Sequence, residues 1–155
     1  MKLGEALALR ADLQKRMNRV QALALENATV QEGDTPAVSA IALLDEYRQL
    51  AAEHEGIVRR INRTNIEARI ALDDEVMSLA DAVVRRERLA RTATVLRDVV
   101  GHATPRHSRF LRTEVKHVPT IDVAGVLAQA DRLSKEHRDL DTRMQQANWE
   151  VELIE

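Results

Sequence analysis

Apolar residues recur in steps of three and four along four stretches of the chain, the spacing of one buried face of an α-helix. The first stretch, about 3–25, carries Leu3, Ala6, Leu13, Met17, Val20 and Ala24. The second, about 39–62, carries Leu44, Tyr47, Ala51, Val58 and Ile61. The third, about 79–103, uses Leu79, Ala82, Leu89, Ala93, Leu96 and Val100. The fourth, about 123–148, uses Val126, Ala130, Leu133, Leu140, Met144 and Ala147. At the rise of an α-helix each would be roughly 35–40 Å long. Four helices of equal length predict an all-α fold, an antiparallel up-down-up-down bundle, in a single domain spanning 1–155.

The punctuation agrees with these spans. Asn27, Gly33 and Asp34-Thr35-Pro36 break the chain after the first helix, and Ser39 can cap the second. Ser78, with Asp81 three residues on, resembles a capping box for the third, which Gly101 and Pro105 end. Thr120 or Asp122 can cap the fourth.

Between helices the period changes to two. Ile66, Ala68, Ile70 and Leu72 alternate with Glu67, Arg69 and Ala71 before Asp73-Asp74, so a short β-hairpin is expected over about 66–77. Residues 111–118 are a further strand candidate. The tail, 149–155, alternates Trp149, Val151 and Leu153 and reads as a strand docked on its own chain or on a partner. Antiparallel topology would gather the start of the first helix, the hairpin and the tail at one end.

Composition narrows the function. Lys plus Arg number 23 against 25 Asp plus Glu, so no global field draws nucleic acid. The aromatic residues are Trp149, Tyr47 and Phe110, too few for a base-stacking platform. With no Cys there is no disulfide, thiol nucleophile or thiolate metal site. Glu-x-x-His is missing, because Ala51 and Ser134 stand three residues before His54 and His137. Walker, dinucleotide and nucleophile-elbow motifs are absent as well, so no cofactor, metal or catalytic residue is expected. Neither a signal-peptide apolar core nor a run of ~18 apolar residues is present, which points to a cytoplasmic protein without a transmembrane segment.

Three features stand out from this background. Each apolar stripe is interrupted once by a long polar side chain: Arg10, His54, Arg86 and His137. Counted from the same bundle end, the four lie at similar height. They could form a layer that binds a small anion or other small ligand, or they could snorkel to solvent or sit satisfied within the core. The segment 102–117 carries Arg106, Arg109, Arg112 and Lys116 against Glu114, with His102, His107 and His117, and reads as a solvated basic loop. On the third helix, Met77, Val84 and Val95 cluster opposite the Leu89/Leu96 stripe beside Arg88 and Arg91. That second apolar face predicts a self-association seam.

The segments Ala6–Gln21, Asn27–Pro36, Ile61–Asn65, Val115–Val123 and Leu140–Glu155 resemble a bacterial family described as septicolysin-like. The resemblance runs over nearly the whole chain. It implies a helical fold of about this length and brings no catalytic residues with it. Its label implies a membrane-active cytolysin as a further alternative. The residues themselves favour a non-enzymatic, self-assembling helical protein, with coiled-coil-like stripes and a homo-oligomeric state.

Overall fold

A computed structural model describes residues 1–73, 75–104 and 118–155. Among these residues the chain is mostly helical, with one two-stranded antiparallel sheet: α1 is Leu3–Glu26, α2 Ala40–Glu67, β1 Arg69–Leu72, β2 Glu75–Ser78, α3 Leu79–Ala103 and α4 Val123–Glu150. These elements fall into two compact units. One comprises Met1–Ala68 with Gln145–Glu155, the other Arg69–Met144. The expected strand at 111–118 lies, but for its last residue, outside the described residues, as does most of the basic segment 102–117.

In the first unit α1 packs against α2. Leu3, Ala6, Leu13, Met17 and Val20 of α1 are buried, the stripe read from the sequence. On α2 Ile61 is buried as read, but the rest of the stripe is displaced by one position: Leu43, Leu50, Ile57 and Thr64 are buried, whereas Leu44 is 43 % exposed and Tyr47, Ala51 and Val58 are half-buried. Two apolar rows one residue apart lie about 100° apart around a helix, and both have helical spacing. Burial chose the row at steps of seven and left the other on the flank.

Helix α2 also runs past its expected end. Thr64 Oγ1 donates to the Arg60 carbonyl at 2.9 Å, and the Ala68 amide closes the last turn on the Thr64 carbonyl at 2.8 Å. The alternation that began at Ile66 therefore belongs to strand only from Arg69. Ser39 caps the start, its hydroxyl accepting from the Ala42 amide at 3.4 Å.

The chain ends meet in this unit. Lys2 and Glu152 form an isolated antiparallel bridge; the Leu3 amide donates to the Val151 carbonyl at 2.9 Å and the Leu153 amide to the Met1 carbonyl at 2.8 Å. Leu153 is buried, and the Ile154 amide donates to Thr64 Oγ1 at 3.0 Å. Arg60 and Arg63 donate to the carbonyls of Ile154 and Glu155. Thr64, fully buried, thus serves its own helix and the tail with one hydroxyl.

Trp149 does not belong to that strand. Helix α4 continues to Glu150, and the indole lies against Gly4, where an added Cβ would stand 3.2 Å from the ring. The ring remains 65 % exposed. The period-two reading of Trp149, Val151 and Leu153 fails at its first member because the helical hydrogen bonds persist to Val151, whose amide donates to the Ala147 carbonyl at 2.9 Å.

In the second unit Leu72 faces Glu75 across the hairpin, and Asp73 sits at φ +52°, a left-handed conformation that Asp tolerates better than most side chains. Ile70 pairs with Met77 in register, and Ile70, Leu72 and Met77 are buried. Ser78 then caps α3: its hydroxyl accepts from the Asp81 amide at 3.0 Å and donates to the Asp81 carboxylate at 2.5 Å. Leu79, Ala82, Leu89 and Ala93 of α3 and Ala130 and Leu140 of α4 are buried. Asp122 caps α4 by accepting from the Gly125 amide at 3.1 Å, an approach so close that any Cβ on residue 125 would collide with the carboxylate.

Two outcomes are expected. Leu89→Ala, at a position with no exposed surface, should lower stability by about 2–5 kcal/mol in denaturant titration. The Glu152 carboxyl is held below the ordinary carboxylate range by the Lys2 ammonium and, next, the terminal amine. Its folded pKa is depressed, so its contribution is present above its unfolded value, about 4.3, and fades as pH falls through the folded one. An NMR titration of Glu152 should move toward the ordinary value in Lys2→Ala; an unchanged midpoint would refute the clamp.

Candidate functional site

The four polar interruptions occupy unlike surroundings. In the first unit Arg10 is exposed on α1 and His54 half-buried on α2, and no hydrogen bond joins them. In the second, Arg86 and His137 are half-buried on α3 and α4. Arg86 reaches not His137 but Asp141, at 2.7 Å. Its charge is met by a carboxylate of its own chain.

Arg86 is one rung of a ladder running from α3 to α4. Arg97 lies 3.1 Å from Asp131 and donates to Ser134 Oγ at 2.8 Å. Arg85 contacts Glu136 at 2.6 Å and also reaches Glu75 of β2. Arg85 and Arg86 near the start of α3 meet residues 136 and 141, and Arg97 further on meets Asp131, so the two helices run antiparallel here, with cations on α3 and anions on α4. Arg85 is the most enclosed member, its side chain 25 % exposed. The Glu136 carboxylate, then Glu75, raises its pKa, deepening a charge that is permanent in any case. Sequence reading passed over Arg85 because it sits at the edge of the stripe. Its signal was the pair of acids, Glu75 ten residues before it and Glu136 on the antiparallel helix.

Of the residues expected in a seam on α3, Met77 is buried within the chain, at 8 % exposure. It lies in β2, paired with the buried Ile70, and counting it at helical spacing put it on the wrong face. Val84 and Val95 are 68 % and 58 % exposed, and Val99, 44 % exposed, falls in the same sector. Of the tail residues expected to dock on their own chain or on a partner, Leu153 is buried within the chain, Val151 half-buried and Trp149 open to solvent.

The displaced stripe of α2 has a consequence in the first unit. With Leu44 and Tyr47 on the flank, a cleft of about 390 Å³ opens against α1, lined by Gln21, Ala24, Leu25, Ala28, Ala40, Leu44 and Tyr47. Its walls are almost wholly apolar, with the Gln21 amide and the Tyr47 phenol as polar groups. Three alanines set the wall back between Leu25 and Leu44. Among the described residues there is no group of three or more His, Asp or Glu placed to hold a metal ion. No described helix is long and apolar enough to cross a membrane.

Residues 10–153 match the model of a family described as "Family of unknown function (DUF6847)", and the chain belongs to that family. A solved structure, "Crystal structure of a functionally unknown conserved protein from Corynebacterium diphtheriae", is similar at 39 % identity and a TM-score of 0.89, with 99 % of each chain covered. No curated protein matches.

Arg85→Gln should cost on the order of 1 kcal/mol, more than the same change at exposed Arg59, and the difference should shrink in high salt. Emission from Trp149 is expected close to that of indole in water and quenchable by iodide. A blue-shifted, protected spectrum would contradict the exposed ring.

Proposed function

We propose that this member of an uncharacterised family is a non-enzymatic cytoplasmic protein that acts by associating with further copies of itself through the outward face of α3. The exposure of Val84 and Val95 carries this reading. They are eleven residues, about three turns, apart, and Val99 continues the row one turn on. Scattered single valines need no explanation, but a row in one sector gives a second copy something continuous to cover. Arg88 and Arg91 break the row, and Arg91 is already paired with Glu87 at 2.5 Å. Such a face is self-complementary about a two-fold axis, where the same patch serves both copies. Four helices alternating in direction within one bundle belong to the same proposal and rest on the matched helix lengths and stripes.

A second reading, binding of a small ligand, is favoured by the cleft between α1 and α2. Its volume falls within the range of small-molecule sites, and its apolar walls with two polar groups are their usual make-up. The form of this reading that used Arg10, His54, Arg86 and His137 is weakened by the Arg86–Asp141 pair, which leaves less charge for an incoming anion. The cytolysin alternative rests on the resemblance in sequence wording, and liposome leakage tests it.

Light scattering decides the main reading. Val84→Glu with Val95→Glu should reduce the measured mass to that of one chain without changing helix content, since both side chains are exposed. A wild-type mass already equal to one chain defeats the proposal. For the second reading, apolar compounds should raise the thermal midpoint, and Ala24→Trp, which fills the cleft, should abolish the rise.

A further inference from the structure

A smaller cleft, about 260 Å³, also lies between α1 and α2 and is lined by Arg16, Arg19, Val20 and Leu23 of α1 and Glu46 of α2. None of these residues belongs to the predicted polar layer. Arg16 and Arg19 are three residues apart, the spacing at which like charges on a helix repel. Of the other exposed arginines of this unit, Arg48 is met by Asp45 at 2.6 Å and Arg59 by Glu55 at 3.8 Å, each one turn earlier, and Arg63 reaches the tail; Arg10, with no acid one turn before it, forms no such pair. Asp12 stands at the corresponding place before Arg16, yet no ion pair joins them. Glu46, on the opposite wall, pairs with neither guanidinium. Among the described residues Arg16 and Arg19 have no hydrogen-bonded or ionic partner, although acids stand on both sides. Val20 is buried and Leu23 half-buried, so the cleft also has an apolar floor.

We propose that this cleft binds a small organic oxyanion. A carboxylate or phosphate group lies between Arg16 and Arg19, its apolar body covers Val20 and Leu23, and a hydroxyl or amine donates to Glu46. The guanidinium fork matches either oxyanion with paired hydrogen bonds, and the bound charge cancels the repulsion between the two arginines. Glu46 sets the selectivity: its carboxylate accepts a donor and repels a second negative charge, so polyanions are disfavoured. The volume admits a ligand below drug size. This inference is independent of self-association through α3, which lies in the other unit.

NMR of the full chain, following backbone amides and the arginine Nε–H groups, tests it with two probes: inorganic phosphate, and mandelate, which combines a carboxylate, a hydroxyl and an apolar ring. Both should shift Arg16, Arg19 and Glu46 saturably, with mandelate binding at least about fivefold more tightly because it buries its ring. Arg16→Gln with Arg19→Gln, both exposed, should weaken both probes by about tenfold or more. Glu46→Gln should reduce the advantage of mandelate, because phosphate, freed from repulsion of its second negative charge, then binds as tightly as before or more so. Non-saturating shifts, shifts no larger than those at the already paired Arg48 and Arg59, equal affinities for the two probes, or an unaffected double variant would each overturn the proposal.

Discussion

Burial of a narrow apolar stripe is the interaction on which every helix here depends. The helices are 24 to 28 residues long and charged over most of their circumference, so an isolated one would owe little to its own sequence. Among the described residues their buried positions are held by Leu, Ile, Met, Val and Ala with one Thr, and by no aromatic. Such a core is thin. Small residues such as Ala6, Ala82, Ala93 and Ala130 permit close approach, while Leu3, Ile61, Leu79, Leu89 and Leu140 are the largest apolar side chains wholly removed from water.

A thin apolar seam specifies direction and register weakly, and polar contacts supply what it lacks. In the second unit cations line α3 and anions line α4, so the ladder through Arg85, Arg86 and Arg97 is satisfied in one antiparallel register. Arg85 ties in the hairpin as well, through Glu75. Each exposed pair adds little stability, but a wrong register would set like charges together. In the first unit the chain ends do comparable work. The bridge between Lys2 and Glu152 closes a loop of nearly the whole chain, a contact costly in entropy. It is supported by the burial of Leu153 and by Thr64, which holds the tail to the end of α2.

Surfaces that this economy leaves unused carry the functional argument. An apolar row on α3 and a cleft beside the displaced stripe of α2 are what remain once the core has taken its share. The two arginines of the smaller cleft stand apart from the ladder for the opposite reason: acids are near, and they do not meet them.

Helix number, type and most boundaries follow from local chemistry, and the sequence carried them. The period of 3.6, the caps at Ser39, Ser78 and Asp122 and the change to period two at the hairpin all act over a few residues, so they are readable without knowing the fold. The stripe of α1 is unambiguous for the same reason. Choices among locally equivalent options lay beyond it. On α2 two rows had helical spacing, and packing against α1 buried the one at Leu43, Leu50 and Ile57. Met77 fitted both the expected hairpin and a helical face, and β2 took it; Trp149 fitted a strand until α4 ran on to Glu150. The partner of Arg86, the role of Arg85 and the isolation of Arg16 and Arg19 depend on which helix lies opposite and at what register. Those are distances between residues far apart in the chain, and tertiary structure alone sets them.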